Sequence, residues 1–192
     1  MWEALAFIGS YILGSIPFGY VVGKVKGHDI RKEGSGNIGS TNVFRVVGKK
    51  EGIFVFILDF LKGCLPVLYF TDISVLAGIL ALLGAIAGHM TTPFLKFKGG
   101  KGVATGFGGV IALMPLPAVL AFGIWVMLVA ISRRVSIGSL GAAISLPIFY
   151  FYIENPMIKI VLYFSILIAV LVIITHRKNI KKLIRKEEEP IF

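Results

Sequence analysis

Gly52-Ile53-Phe54-Val55-Phe56-Ile57-Leu58-Asp59-Phe60-Leu61-Lys62-Gly63-Cys64-Leu65-Pro66-Val67-Leu68-Tyr69-Phe70 decides the fold class. These 19 residues extend about 28 Å at helical rise, enough to cross a bilayer core. Asp59 and Lys62 interrupt the stretch, but at i, i+3 they fall on one helix face and can pair. Comparable apolar stretches run over about 74–92, 117–132, 135–153 and 157–175, with an N-terminal one at 2–22. The chain is 56% hydrophobic, with mean hydropathy +0.87, well above a soluble domain. Within 192 residues no extramembrane domain fits, so 1–192 reads as a single all-α integral membrane domain. The N-terminal stretch carries Glu3 and no Lys or Arg before it, unlike a secretory signal, and is expected to be retained. Cys64 is the sole cysteine, which excludes an internal disulfide and reads as a packed thiol.

Charge placement sets the expected topology. Seven Lys and Arg fall in 24–50, three in 96–101, two at Arg133 and Arg134, and six in 177–186. The connections Thr71-Asp72-Ile73-Ser74 and Glu154-Asn155-Pro156 carry none. The positive-inside rule places all four basic clusters, and the C-terminus, in the cytoplasm and the N-terminus outside. The stretch 103–132 then starts and ends on the same side, with a break at Met114-Pro115-Leu116-Pro117. Its first arm, about 103–114, is only roughly 18 Å long as a helix. Counting it as a crossing gives seven, one of them short; the alternative is five crossings and a re-entrant hairpin.

The net charge of +10 is explained in part by orientation and by anionic lipid, as at Lys181, Lys182, Arg185 and Lys186. No nucleic-acid-binding fold fits a chain this apolar. Basic residues set among glycines need another reason. The first such loop is Gly34-Ser35-Gly36-Asn37-Ile38-Gly39-Ser40-Thr41-Asn42, followed by Arg45. Eight of its nine residues are Gly, Ser, Thr or Asn, and Thr41 or Asn42 is placed to N-cap a short helix bearing Arg45. The second is Lys96-Phe97-Lys98-Gly99-Gly100-Lys101-Gly102-Val103-Ala104-Thr105, a glycine turn entering a helix. Glycines turn backbone N–H groups toward an anion while Lys and Arg supply counter-charge, so both loops read as phosphate cradles. The nucleotide spacing G-x-x-x-x-G-K-[ST] is absent, because Gly102 follows Lys101; ATP hydrolysis is not supported. His176, Arg177 and Asn179 emerge from the last apolar stretch on the same side, and Ser136 and Ser139 after Arg134 read as helix caps.

Absences narrow the chemistry. No Cys/His cluster has metal-ligand spacing, so neither metal nor cofactor is expected. Gly-x-Ser-x-Gly is missing. None of His28, His89 and His176 begins a His-x-x-x-x-Asp dyad, although His28 has Glu33 at that spacing.

Gly14-Ser15-Ile16-Pro17-Phe18-Gly19, the 34–45 loop, Gly88-His89 through Thr105, and His176-Arg177-x-Asn179-Ile180 together resemble the bacterial acyl-phosphate:glycerol-3-phosphate acyltransferase (PlsY) family over nearly the whole chain. The resemblance implies transfer of a fatty acyl group from acyl phosphate to the 1-hydroxyl of glycerol 3-phosphate, on the cytoplasmic side of the bacterial inner membrane. It implies Ser35, Asn37, Arg45, Lys101 and His176 as catalytic. Gly34, Gly36, Asn42, Lys98, Gly99, Gly100, Gly102, Thr105, Ser139 and Asn179 would bind substrate, with Asp59 and Lys62 structural. Oxygen attack on a mixed anhydride needs positioning and charge stabilisation more than a strong nucleophile. Direct transfer without an acyl-enzyme is therefore expected, with His176 or a substrate phosphate oxygen as base. The competing classes are a transporter of phosphorylated solutes, which inverted repeats would favour and none is evident, and a lipid-binding scaffold, which leaves the donor array unexplained.

Overall fold

The structure, a computed structural model, describes residues 1–154 and 159–191. Among them the regular structure is all helical: α1 Trp2–Gly14, α2 Phe18–Val25, α3 Ser40–Val46, α4 Lys49–Thr71, α5 Val75–Met90, a 3-10 turn at Pro93–Leu95, α6 Val103–Leu113, α7 Pro115–Ser132, α8 Val135–Ile153, α9 Lys159–Thr175 and α10 Arg177–Ile184. Five helical stretches are long and apolar enough to cross a membrane, or six if α9 and α10, bent by 59°, form one span. Helix α6 is a shorter apolar helix. Part of the basic-free connection, 155–156, and the start of the 157–175 stretch lie outside the described residues.

The chain divides into two compact units, 1–113 and 114–192. In the first, the N-terminal stretch is broken rather than continuous. Pro17 lacks the N–H that would continue α1, so the chain turns at 15–17 before α2. The carbonyls exposed by this break are recovered from elsewhere: Thr92 Oγ1 donates to Ser15 O at 2.6 Å and Lys62 Nζ to Ile16 O at 2.9 Å. In an apolar setting such repair is what makes a broken helix tolerable. Helix α5 starts at an N-cap, Ser74, whose hydroxyl accepts from Ala77 N at 3.0 Å. Helix α4 packs against α3, α5 and α6. Its contact with α6 is backbone on backbone, because a Cβ on Gly63 would run into the Thr105 carbonyl.

The second unit packs α7 on α8 and α8 on α9. Arg133 turns the chain between α7 and α8 in the left-handed region, φ 57°. The C-terminal tail returns to this turn: Ile191 N donates to Arg133 O at 2.8 Å and Arg134 Nε to Glu188 O at 2.9 Å.

Candidate active site

The first loop hangs from a small apolar cluster of Ile30, Ile38, Val43, Val55 and Leu95. Because Ile38 belongs to the first loop and Leu95 leads into the second, the cluster ties both glycine-rich segments to one place in the first unit. Upstream, Arg31 grips Asp29 through Nε at 2.9 Å and Nη2 at 2.8 Å and lies over the Tyr20 ring at 4.5 Å. The Arg31 guanidinium holds the Asp29 carboxyl well below its ordinary range. The His28 ring, 2.8 Å from Glu33 Oε2, likewise lowers Glu33. Arg31 is thus committed locally. Arg45 on α3 is exposed and, among the described residues, has no ion-pair partner.

Loop one is internally tied. Asn42 is buried; its Oδ1 accepts from Ser35 N at 2.9 Å, and its Nδ2 donates to Ile30 O at 2.9 Å and Glu33 O at 3.1 Å. Asn42 therefore holds Ser35 in place rather than offering its own amide to a ligand. The expected Thr41 or Asn42 cap is corrected: the cap is Gly39, which makes no side-chain cap bond, and both residues lie within α3. Gly36 N goes to Glu33 O at 3.0 Å and Gly39 N to Asn37 Oδ1 at 3.1 Å. Among the described residues this leaves the amides of Asn37, Ile38, Ser40 and Thr41 without hydrogen bonds, beside the exposed Ser35. Gly34 (φ 59°) and Gly36 (φ 70°) occupy the left-handed region that makes the tight turn possible.

Loop two differs from the cradle expected of it. Gly99 N donates to Met90 O at 2.9 Å and Gly100 N to His89 O at 3.1 Å, so both amides are engaged by the end of α5. These glycines serve close approach: a Cβ on Gly99 would meet the His89 and Met90 backbone, and one on Gly100 would meet His89 Nε2. Gly102 (φ 73°) then turns the chain into α6, whose first-turn amides have no intrahelical acceptor. Lys98 is exposed, Lys101 half-buried and Thr105 buried.

Ser139, His176 and Asn179 belong to the second unit. Ser139 Oγ donates to Val135 O at 2.9 Å, one turn back, and Arg134 caps α8 without a side-chain bond. The expected serine caps are therefore absent; Ser136 is buried in the first turn of α8. His176 sits at the α9–α10 bend, buried, with Nδ1 2.8 Å from Val172 O. A carbonyl only accepts, so a neutral His176 carries its proton on Nδ1 and a lone pair on Nε2. Asn179 Nδ2 donates to Glu188 Oε1 at 3.0 Å. Through Arg134, Glu188 and Asn179, the start of α8 and the start of α10 share one end of this unit. No sequence signal marked Glu188, which is separated from Asn179 by the length of α10.

The expected Asp59–Lys62 pair forms, 2.7 Å apart with both side chains 2% exposed. Its third member was not anticipated: His89 Nδ1 lies 3.6 Å from Asp59 Oδ1. The adjoining Gly88-His89 was the available signal. No group of His, Cys, Asp and Glu able to hold a metal occurs among the described residues.

The family model described as glycerol-3-phosphate acyltransferase matches residues 4–186. The glycerol-3-phosphate acyltransferase of Desulforamulus reducens is 46% identical over 190 residues, covering 96% of this chain and 92% of that one. That of Aquifex aeolicus is 44% identical over 184 residues, covering 94% and 95%. The crystal structure of PlsY (YgiH), an integral membrane glycerol 3-phosphate acyltransferase, in its glycerol 3-phosphate form superposes with TM-score 0.92 at 42% identity, over 98% of this chain and 94% of that one. The lysophosphatidic acid form gives 0.89 at 41%. The chain is an all-α, multi-pass membrane protein, and it belongs to the glycerol-3-phosphate acyltransferase family.

Proposed function

We propose that this protein transfers a fatty acyl group from acyl phosphate to the 1-hydroxyl of sn-glycerol 3-phosphate, releasing 1-acylglycerol 3-phosphate (lysophosphatidic acid) and inorganic phosphate. One observation carries this reading: a likeness over 98% of the chain to an enzyme crystallised with glycerol 3-phosphate and, separately, with lysophosphatidic acid. Two cationic glycine-rich loops suit two phosphate-bearing substrates, and apolar helices admit an acyl tail from the bilayer. The missing His-x-x-x-x-Asp dyad fits an activated donor. This is the first acylation of bacterial phospholipid synthesis.

The hydroxyl oxygen attacks the acyl carbonyl carbon, the bond from that carbon to the phosphate oxygen breaks, and phosphate leaves with the electron pair. The Ser35 hydroxyl, Asn37 and Lys101 hold the donor phosphate and stabilise the oxyanion, while Gly36, its amide given to Glu33 O, makes the turn that presents them. Arg45, Lys101, Ser139, His176 and Asn179 hold glycerol 3-phosphate. Gly34, Asn42, Gly99, Gly100, Gly102 and Thr105 shape the loops, and Lys98 adds positive potential at their mouth. The hydroxyl proton goes to His176 Nε2 or to a substrate phosphate oxygen, and no acyl-enzyme forms. Residues 1–192 act as a single membrane domain in the bacterial inner membrane, with seven crossings including α6, the N-terminus outside, and the site and C-terminus in the cytoplasm. The basic clusters support that orientation.

The test is acyl transfer by purified protein from palmitoyl phosphate and from palmitoyl-CoA to glycerol 3-phosphate. Lysophosphatidic acid forming only with acyl phosphate is expected. Product from the thioester alone overturns the donor; no product from either, with folded protein, overturns the reaction.

A further inference from the structure

Asp59, Lys62 and His89 are all at least nine-tenths buried, yet none has a part in the chemistry above. Charged groups at such depth in an apolar helical unit are costly unless they do something. Their contacts run in one direction. Lys62 Nζ bonds Ile16 O at 2.9 Å, at the break between α1 and α2, and pairs with Asp59 at 2.7 Å. Asp59 Oδ1 faces His89 Nδ1 at 3.6 Å, and neither atom has a hydrogen-bond partner among the described residues. Asp59 Oδ1 thus stands between the Lys62 ammonium at 2.7 Å and the His89 ring at 3.6 Å, and buried polar groups set against one another in this way are held together by the cost of separating them. The opposite edge of the ring, at Nε2, occupies the space a Gly100 Cβ would fill, and His89 O accepts Gly100 N at 3.1 Å. An unbroken line of polar contacts thus joins the α1–α2 break to the residue before Lys101.

We infer that His89, braced by the Asp59–Lys62 pair, is a positioning residue for acyl transfer: it sets the height of the Gly99-Gly100 turn and so where Lys101 stands at the reacting phosphate. This rests on the reaction proposed above. His89 touches no substrate. Its ring closes the space beneath the turn, while its carbonyl fixes the Gly100 amide. Asp59 and Lys62 fix the ring in turn. Glycine at position 100 is required because a larger residue and an imidazole cannot both occupy that space.

The test uses full-length protein in lipid nanodiscs carrying a spin label at Lys96→Cys, an exposed position outside the proposed machinery. The labelled parent is compared with His89→Asn, Gly100→Ala and the double variant. Each is melted, assayed for kcat and KM, and examined for label mobility. His89→Asn is expected to melt with the parent, to mobilise the label, and to lower kcat about tenfold or more with little change in KM for glycerol 3-phosphate. Gly100→Ala should do the same, and the double variant should lose less than the two single losses multiplied, because the smaller Asn side chain makes room for the added methyl. Multiplicative losses, or unchanged kcat and label mobility in either single variant, overturn the inference. If His89→Asn does not fold, Gly100→Ala decides alone by the same label and kcat criteria. A parent that makes no lysophosphatidic acid refutes the reaction, while the label spectra still report whether His89 anchors the turn.

Discussion

Replacing Asn42 with Asp is expected to be at least as damaging as replacing it with Ala, although Asp has nearly the same shape. Asn42 makes three hydrogen bonds, one accepted from Ser35 N and two donated to Ile30 O and Glu33 O. At a net ~1 kcal/mol each, their loss in Asn42→Ala costs about 3 kcal/mol, or a fall in melting temperature of roughly 6 to 12 °C for a chain of this size. An aspartate keeps the acceptor for Ser35 but turns a carboxylate oxygen toward two carbonyls. Two attractive contacts become two repulsive ones in a buried setting. Asn42→Ala releases the Ser35 amide, Asn42→Asp pushes the residue away from the Ile30 and Glu33 carbonyls that seat it, and acyl transfer should fall about tenfold or more in each. The assay is thermal melting in detergent by far-ultraviolet circular dichroism beside initial rates of lysophosphatidic acid formation. An Asn42→Asp protein that melts within about 2 °C of the parent and turns over normally refutes the account, because volume alone would then explain the residue.

Gly63→Ala should be destabilised by about 1–3 kcal/mol and lose activity, since its Cβ meets the Thr105 carbonyl and neither backbone can rotate aside; melting and rates check this together. Lys62→Met should cost about 3–5 kcal/mol by stranding Asp59, whereas Asp59→Asn with Lys62→Met should cost less; a single and a double variant of equal stability would contradict the pairing. Lys101→Ala and Arg45→Ala should lose most turnover while keeping the parental melting temperature, and near-normal kinetics in either removes that residue from the site. Asp29 and Glu33 have lowered folded-state values, so their contribution is complete above the ordinary carboxylate range and is lost as pH falls through the folded values. Stability should therefore drop on the acid side of about pH 4, and Asp29→Asn should flatten that dependence in a melting-against-pH series.

Helix extents were legible because bilayer-length apolar runs announce themselves by composition: 135–153 is α8 to the residue, and Asp59 and Lys62 pair as their i, i+3 spacing requires. The break at 15–17 was less legible. Pro17 sits inside an apolar run, and what makes the break tolerable is supplied by Lys62 and Thr92, far away in sequence. His89 was missed for the same reason: its meaning lies in a partner on another helix. In the loops, residue type disclosed an anion-friendly composition but not which amides were already engaged.

The engaged amides give the glycines of the site a different role. A glycine-rich basic loop is usually read as an array of N–H groups turned toward an anion. Here Ser35, Gly36, Gly39, Gly99 and Gly100 all direct their amides into the protein. In loop two the glycines let the chain lie directly on the end of α5, where a Cβ would collide with His89 or Met90. Rigidity follows from that closeness. A loop pinned by its own backbone to a helix loses little further freedom when substrate binds, so more of the binding free energy is left to act on the transition state. The anion is then met by fewer donors than the glycine count suggests, but by donors whose positions are set in advance. Enlarging Gly99 or Gly100 should accordingly depress kcat far more than it weakens phosphate binding, the opposite of what removing a cradle amide would do.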